Sequence, residues 1–97
     1  MFYALICTDK PDSLQVRLDT RPAHREHLAE LGDTLKLAGP FTNEDMSEMN
    51  GSLLIVEAVS TDAARAIAER DPYFKAGLFA DVQVRPWNWT IGNPNAS

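Results

Sequence analysis

Few side chains in this chain can move a proton near neutral pH. There are two histidines, His24 and His27, and one cysteine, Cys7. His24 has the more telling position. Counting back from Leu35 through Leu31 and Leu28 in steps of three and four lands on it, which puts it on or beside the apolar face of a helix. That helix is expected over Pro22 to Leu37, with Pro22 in the first turn, where its missing N–H costs nothing. The first turn is a place where added positive charge is disfavoured, so a neutral imidazole there could serve as a base. Arg21, three residues earlier, could hold an anion at the same helix end. A half-buried histidine that only packs is the plainer alternative.

The second unusual position is Asp71. Ala64, Ile67 and Ala68 mark the buried side of a later helix, and Asp71 continues that side, three residues after Ala68 and four after Ile67. A carboxylate there meets apolar surroundings and the unfavourable end of the helix. It needs a donor, which could be His24 or the backbone N–H groups around Pro72. No serine or cysteine stands in a nucleophile setting, so acid/base work on a bound small molecule is more economical than a nucleophilic triad.

Other candidates are weaker. Gly39 and Phe41 flank Pro40 and could line a pocket, or simply end a strand. Tyr73 and Phe74, after Asp71-Pro72, read as an aromatic loop that packs the core, meets a partner or walls a ligand site. Trp87 and Trp89 could cover an interface or stack on a ligand. His24 and His27 are spaced i,i+3, but no full ligand set at metal-binding spacing accompanies them, so no metal is expected. No Gly-rich phosphate loop is present, and no cofactor is expected. Cys7, inside the apolar run Met1 to Cys7, reads as a small core residue.

The elements that must position these groups fit one small domain, 1–97, with a tail, 92–97, expected to fray. The chain is 44% hydrophobic and 24% charged, a globular composition. Its net charge of −5 argues against nucleic-acid binding. The N-terminus lacks a targeting pattern, and no apolar run approaches the roughly 20 residues of a membrane span. A soluble cytoplasmic protein is the expectation.

Met1 to Cys7 reads as a strand, Ser13 to Asp19 as a short helix, and Pro22 to Leu37 as the clearest helix. The end of that helix is uncertain, because Thr34 to Ala38 also reads as a strand. Thr42 to Gly51 reads as a loop, Ser52 to Val59 as the strongest strand, Asp62 to about Arg70 as a helix capped by Ser60 or Thr61, and Asp81 to Ile91 as a last strand bent at Pro86. The order strand–helix–strand–strand–helix–strand makes a ferredoxin-like α+β sandwich. The first strand is apolar on both faces: Tyr3, Leu5 and Cys7 point one way, Phe2, Ala4 and Ile6 the other. Two helices cover one face only, so a second copy of the chain, as a homodimer, is the expected cover of the other.

With these residues in view, the chain resembles the YCII-related family over nearly its whole length. The resemblance rests on Met1 to Lys10, Arg21-Pro22-Ala23-His24, Ala38-Gly39-Pro40, Gly51-Ser52, and Asp71-Pro72-Tyr73 followed by Ala76-Gly77. It implies a ferredoxin-like domain that pairs as a dimeric α+β barrel. It also implies an active site on a histidine and an aspartate, which fall on His24 and Asp71. Arg21 is the next pocket residue, with Gly39, Phe41, Tyr73 and Phe74 around an unknown small-molecule ligand. A related member removes chloride from a chlorinated hydroxyhydroquinone, and similar barrels of muconolactone isomerases move protons on small rings. The implied function is acid/base chemistry of a lyase, isomerase or dehalogenase-like kind. The alternative is a non-catalytic small-molecule-binding or accessory dimer.

Overall fold

The computed structural model describes residues 1–94; of the tail expected to fray, 95–97 lie outside the described residues. Strand β1 (Phe2–Asp9) leads into helix α1 (Leu14–Leu31), a single 3-10 turn (Gly32–Thr34) and strand β2 (Leu35–Thr42). Strand β3 (Met49–Glu57), helix α2 (Thr61–Arg70), a short helix α3 (Pro72–Lys75) and strand β4 (Phe79–Trp87) complete the chain. The strands form one antiparallel sheet in the order β2-β3-β1-β4.

The helices lie on one face of this sheet. Tyr3 and Leu5 from β1, Leu54 and Val56 from β3, and Ala64, Ile67 and Ala68 from α2 make the core, with Leu28 and Leu31 of α1 packed against it. Each fully buried Leu or Val contributes about 1.5–3 kcal/mol. The period of two that sends Tyr3, Leu5 and Cys7 inward leaves Ile6, Leu37, Leu53 and Trp87 on the opposite face, where they border a shallow apolar depression.

Several expectations need correction. The two helices read on either side of Thr20 are one, α1, with Pro22 inside it. Proline removes an N–H and displaces the carbonyl four residues back. Pro22 and Leu18 are both exposed, so solvent can take up the freed Leu18 carbonyl. His24 therefore lies well inside the helix, beyond the reach of its N-terminal field, which falls off within the first turn. Strand β2 runs through Gly39 and Pro40 to Thr42, because an edge strand tolerates a residue without an N–H. Pro86 stands on the other edge strand, β4, which ends at Trp87 rather than Ile91. Trp89 packs beyond the strand on Phe2 and Trp87. The expected aromatic loop after Asp71 is α3, and the expected loop before Gly51 already contains the start of β3.

The expected dimeric α+β barrel is also corrected. The sheet is open: β2 and β4 are its two edges, two strands separate them, and they do not pair with each other. Apolar residues on both faces of a strand require a cover for each face, and they do not require the sheet to close.

Candidate functional site

The site hangs from one stripe of α1. Arg17, Arg21, His24, Arg25 and Leu28 recur at intervals of three and four, so they share a face, and all five line one cavity of about 230 Å3. The opposite wall comes from β2 and β3: Ala38, Gly39 and Pro40 on one, Met49, Ser52 and Leu54 on the other. Tyr73 of α3 closes the end.

His24 and Asp71 meet there, although 47 residues separate them. Nδ1 of His24 lies 2.9 Å from Oδ1 of Asp71 and 3.0 Å from Oδ2. Both side chains are buried. Asp71 ends α2 and caps α3, where its Oδ1 also accepts the Tyr73 backbone N–H at 2.9 Å. The two donors considered for Asp71 thus bind it together. The local turn anchors the carboxylate, and the anchored carboxylate fixes the imidazole. An ionised carboxylate only accepts hydrogen bonds, so a neutral His24 beside it carries its proton on Nδ1. Among the described residues only Nδ1 of His24 is tied to a carboxylate, which leaves Nε2 as the uncommitted nitrogen of a ring that lines the cavity. The Tyr73 ring stacks on the imidazole at 3.9 Å and 15°, which holds its plane.

A second buried pair lies about two helical turns away along α1. Arg17 donates from Nε to Asp9 Oδ2 at 2.8 Å and from Nη2 to Asp9 Oδ1 at 2.9 Å. Nη2 also donates to Ser52 Oγ at 3.0 Å, and the guanidinium sits 4.6 Å over the Tyr73 ring. Burial works against the charge of Arg17, and the Asp9 carboxylate more than offsets it, so its pKa stays above the ordinary arginine range. Ser52 Oγ accepts from Arg17, which leaves its own O–H free to donate into the cavity. Cys7 is buried beside both pairs. Burial first, and then the Asp71 charge, push its thiol up to about 12. An unreactive core thiol is the result.

Of the expected site residues, Arg21, His24, Gly39 and Tyr73 line the cavity, and Asp71 supports it from behind. Phe41 and Phe74 do not line it: Phe41 borders a separate depression with Leu37 and Leu53, and both rings are partly exposed. Arg17, Ser52 and Asp9 are the residues the sequence reading missed. A faint signal existed for each. Ser52 and Asp9 are polar ends of the inward rows Ser52–Leu54–Val56 and Tyr3–Leu5–Cys7–Asp9. Arg17 continues the His24 stripe once α1 is read as continuous. Among the described residues, no group of three or more His, Cys, Asp or Glu side chains converges as a metal site. No helix among them is long and apolar enough to cross a membrane.

The YCII-related domain matches residues 1–88. The YciI protein of Escherichia coli is 40% identical over 94 residues, spanning 90% of this chain and 96% of that protein. A protein of Haemophilus influenzae is 36% identical over the same shares. The structure of 5-chloro-2-hydroxyhydroquinone dehydrochlorinase from Burkholderia phenoliruptrix, solved with 2,5-dihydroxybenzoquinone, superposes with a TM-score of 0.82. It is 40% identical and covers 91% of this chain and 94% of its own. The chain belongs to the YCII-related family.

Proposed function

From that membership and the geometry of the cavity, we propose that the protein is a small-molecule enzyme in which His24 moves the proton. One observation carries the reading: Asp71 ties up Nδ1 of His24, and the ring, with Nε2 uncommitted, lines a cavity that Arg17 and Ser52 also line. Nε2 takes a proton from an O–H or acidic C–H of a bound substrate. Asp71 stabilises the imidazolium as it forms. The oxyanion left on the substrate is met by the Ser52 hydroxyl and the Arg17 guanidinium, donors already in place before the reaction. Isomerisation, lyase cleavage and loss of an anionic leaving group can all begin in this way. The solved dehydrochlorinase relative supports the last of these.

A homodimer belongs to the same proposal. The apolar face on which Leu37 and Trp87 are exposed and Ile6 and Leu53 are partly so supports a second copy packed against it. Sedimentation at micromolar concentration is expected to give a dimer, and Leu53→Asp a monomer.

The catalytic reading is tested with a panel of small hydroxylated rings, including 5-chloro-2-hydroxyhydroquinone. His24→Gln and Asp71→Asn are each expected to lower turnover by about 10²–10⁴-fold in folded protein. Full turnover by either folded variant overturns the reading. A ligand that stabilises the protein in a saturable manner and emerges unchanged marks a binding protein instead.

A further inference from the structure

Two arginines in the cavity are not used by the proton chemistry. Arg21 and Arg25 continue the stripe begun by Arg17, each four residues after the last, and His24 lies between them in the chain. Arg17 is neutralised by Asp9. Among the described residues, no carboxylate forms an ion pair with Arg21 or Arg25. Arg21, half-buried, has only a thioether against its Nη2, Met49 Sδ at 2.9 Å, and sulfur is a weak acceptor. Arg25 stands exposed at the rim. Among the described residues, no Asp or Glu lines the cavity, although the chain as a whole carries a net charge of −5. The local excess of cations is therefore a property of this cavity and not of the composition.

Like charges one helical turn apart repel each other. An anion between them turns that repulsion into shared attraction, and two planar guanidinium forks suit a group with several oxygens. A cavity of roughly 150 Å3 is enough for benzene, so about 230 Å3 leaves room for one ring and its substituents.

The geometry points to a substrate that carries a second anionic group, a carboxylate or a phosphate, away from its reacting atom and seated between Arg21 and Arg25. This inference rests on the reading of the cavity as an acid/base site and names the substrate class that site takes. The seat turns the ring so that its reacting proton faces Nε2 of His24, while Ser52 and Arg17 meet the reacting oxygen on the β3 side.

The test measures binding of phenol, 3-hydroxybenzoate, 4-hydroxybenzoate and phenyl phosphate by calorimetry. The His24 ring signals are followed by NMR in the same samples. At least one anionic ring is expected to bind about tenfold or more tightly than phenol. That preference is expected to fall to near one in Arg21→Gln/Arg25→Gln, and part of the way in Arg25→Gln alone, an exposed change that leaves the core untouched. Tighter binding by phenyl phosphate than by the hydroxybenzoates identifies the group as phosphate; the reverse identifies carboxylate. No binding by any anionic ring, or a preference that survives both variants, overturns the inference. If phenol moves the His24 signals but anionic rings gain nothing, the anion seat fails while the acid/base reading stands. If the arginine-dependent preference appears without any movement of His24, the seat stands and the acid/base reading fails.

Discussion

Arg17 and His24 leave the same face of α1, both are buried, and each meets an aspartate, yet the two pairs are built differently. Arg17 spreads three hydrogen bonds over Asp9 and Ser52. Its charge is permanent, and the pair cannot switch off. His24 commits one ring nitrogen to Asp71 and keeps the other for the cavity. Its charge can come and go. Tyr73 touches both, with its ring stacked on the imidazole and lying under the guanidinium. A permanent buried pair can fix the donors of a site, because it never changes state. A titratable pair can carry a proton through a reaction, because one of its atoms is left uncommitted.

Removing one acid at a time should separate the pairs most sharply. Asp9→Asn strands a guanidinium that cannot shed its charge, and urea unfolding is expected to show a loss of about 3–5 kcal/mol. Asp71→Asn leaves an imidazole that can be neutral, and an asparagine that can still cap α3. Its loss is expected to be smaller, about 1–3 kcal/mol. Equal losses would erase the distinction.

A subtler effect concerns the imidazole proton. With Asp71 present, nitrogen-15 NMR of the neutral ring should place it on Nδ1. In Asp71→Asn the amide can donate to Nδ1 and move the proton to Nε2, the nitrogen that must stay bare to act as a base. An unchanged tautomer would show that Asp71 does not orient His24.

The smallest effect is read at Cys7, whose thiol feels Asp71, Arg17 and Asp9. Native protein should resist alkylation at pH 8 and react once unfolded. The thiol is raised from 9.0 to about 12, so between these values the native state keeps a proton that the unfolded state gives up. Stability is then fully present below pH 9 and falls as pH rises through that window. Fast labelling of folded protein would show that the space between the pairs is open to solvent.

Much of this architecture could be read from local pattern. The alternating inward rows of β1 and β3 and the apolar spacing of α2 are features of a few consecutive residues, and they led to the ferredoxin-like order. The resemblance to a known family singled out His24 and Asp71 as partners. Pattern alone could say that Asp71 needed a donor, with His24 and the local backbone both open as that donor. That Phe41 and Phe74 do not line the cavity was not legible, because an aromatic residue near a pocket motif does not reveal which side of its element it faces.

The sequence by itself determined the order of the four strands and the main helices, which sides of them are apolar, and that one histidine and one aspartate sit on those sides as exceptions. Only the tertiary structure decided that α1 runs through Pro22, that Arg17 therefore joins the His24 stripe, that Asp9 and Ser52 satisfy it, and that the sheet stays open. The physical reason is range. Hydrophobic periodicity acts over one or two turns of chain, whereas a proline is tolerated, and a buried charge is satisfied, according to what packing brings beside it from distant parts of the sequence.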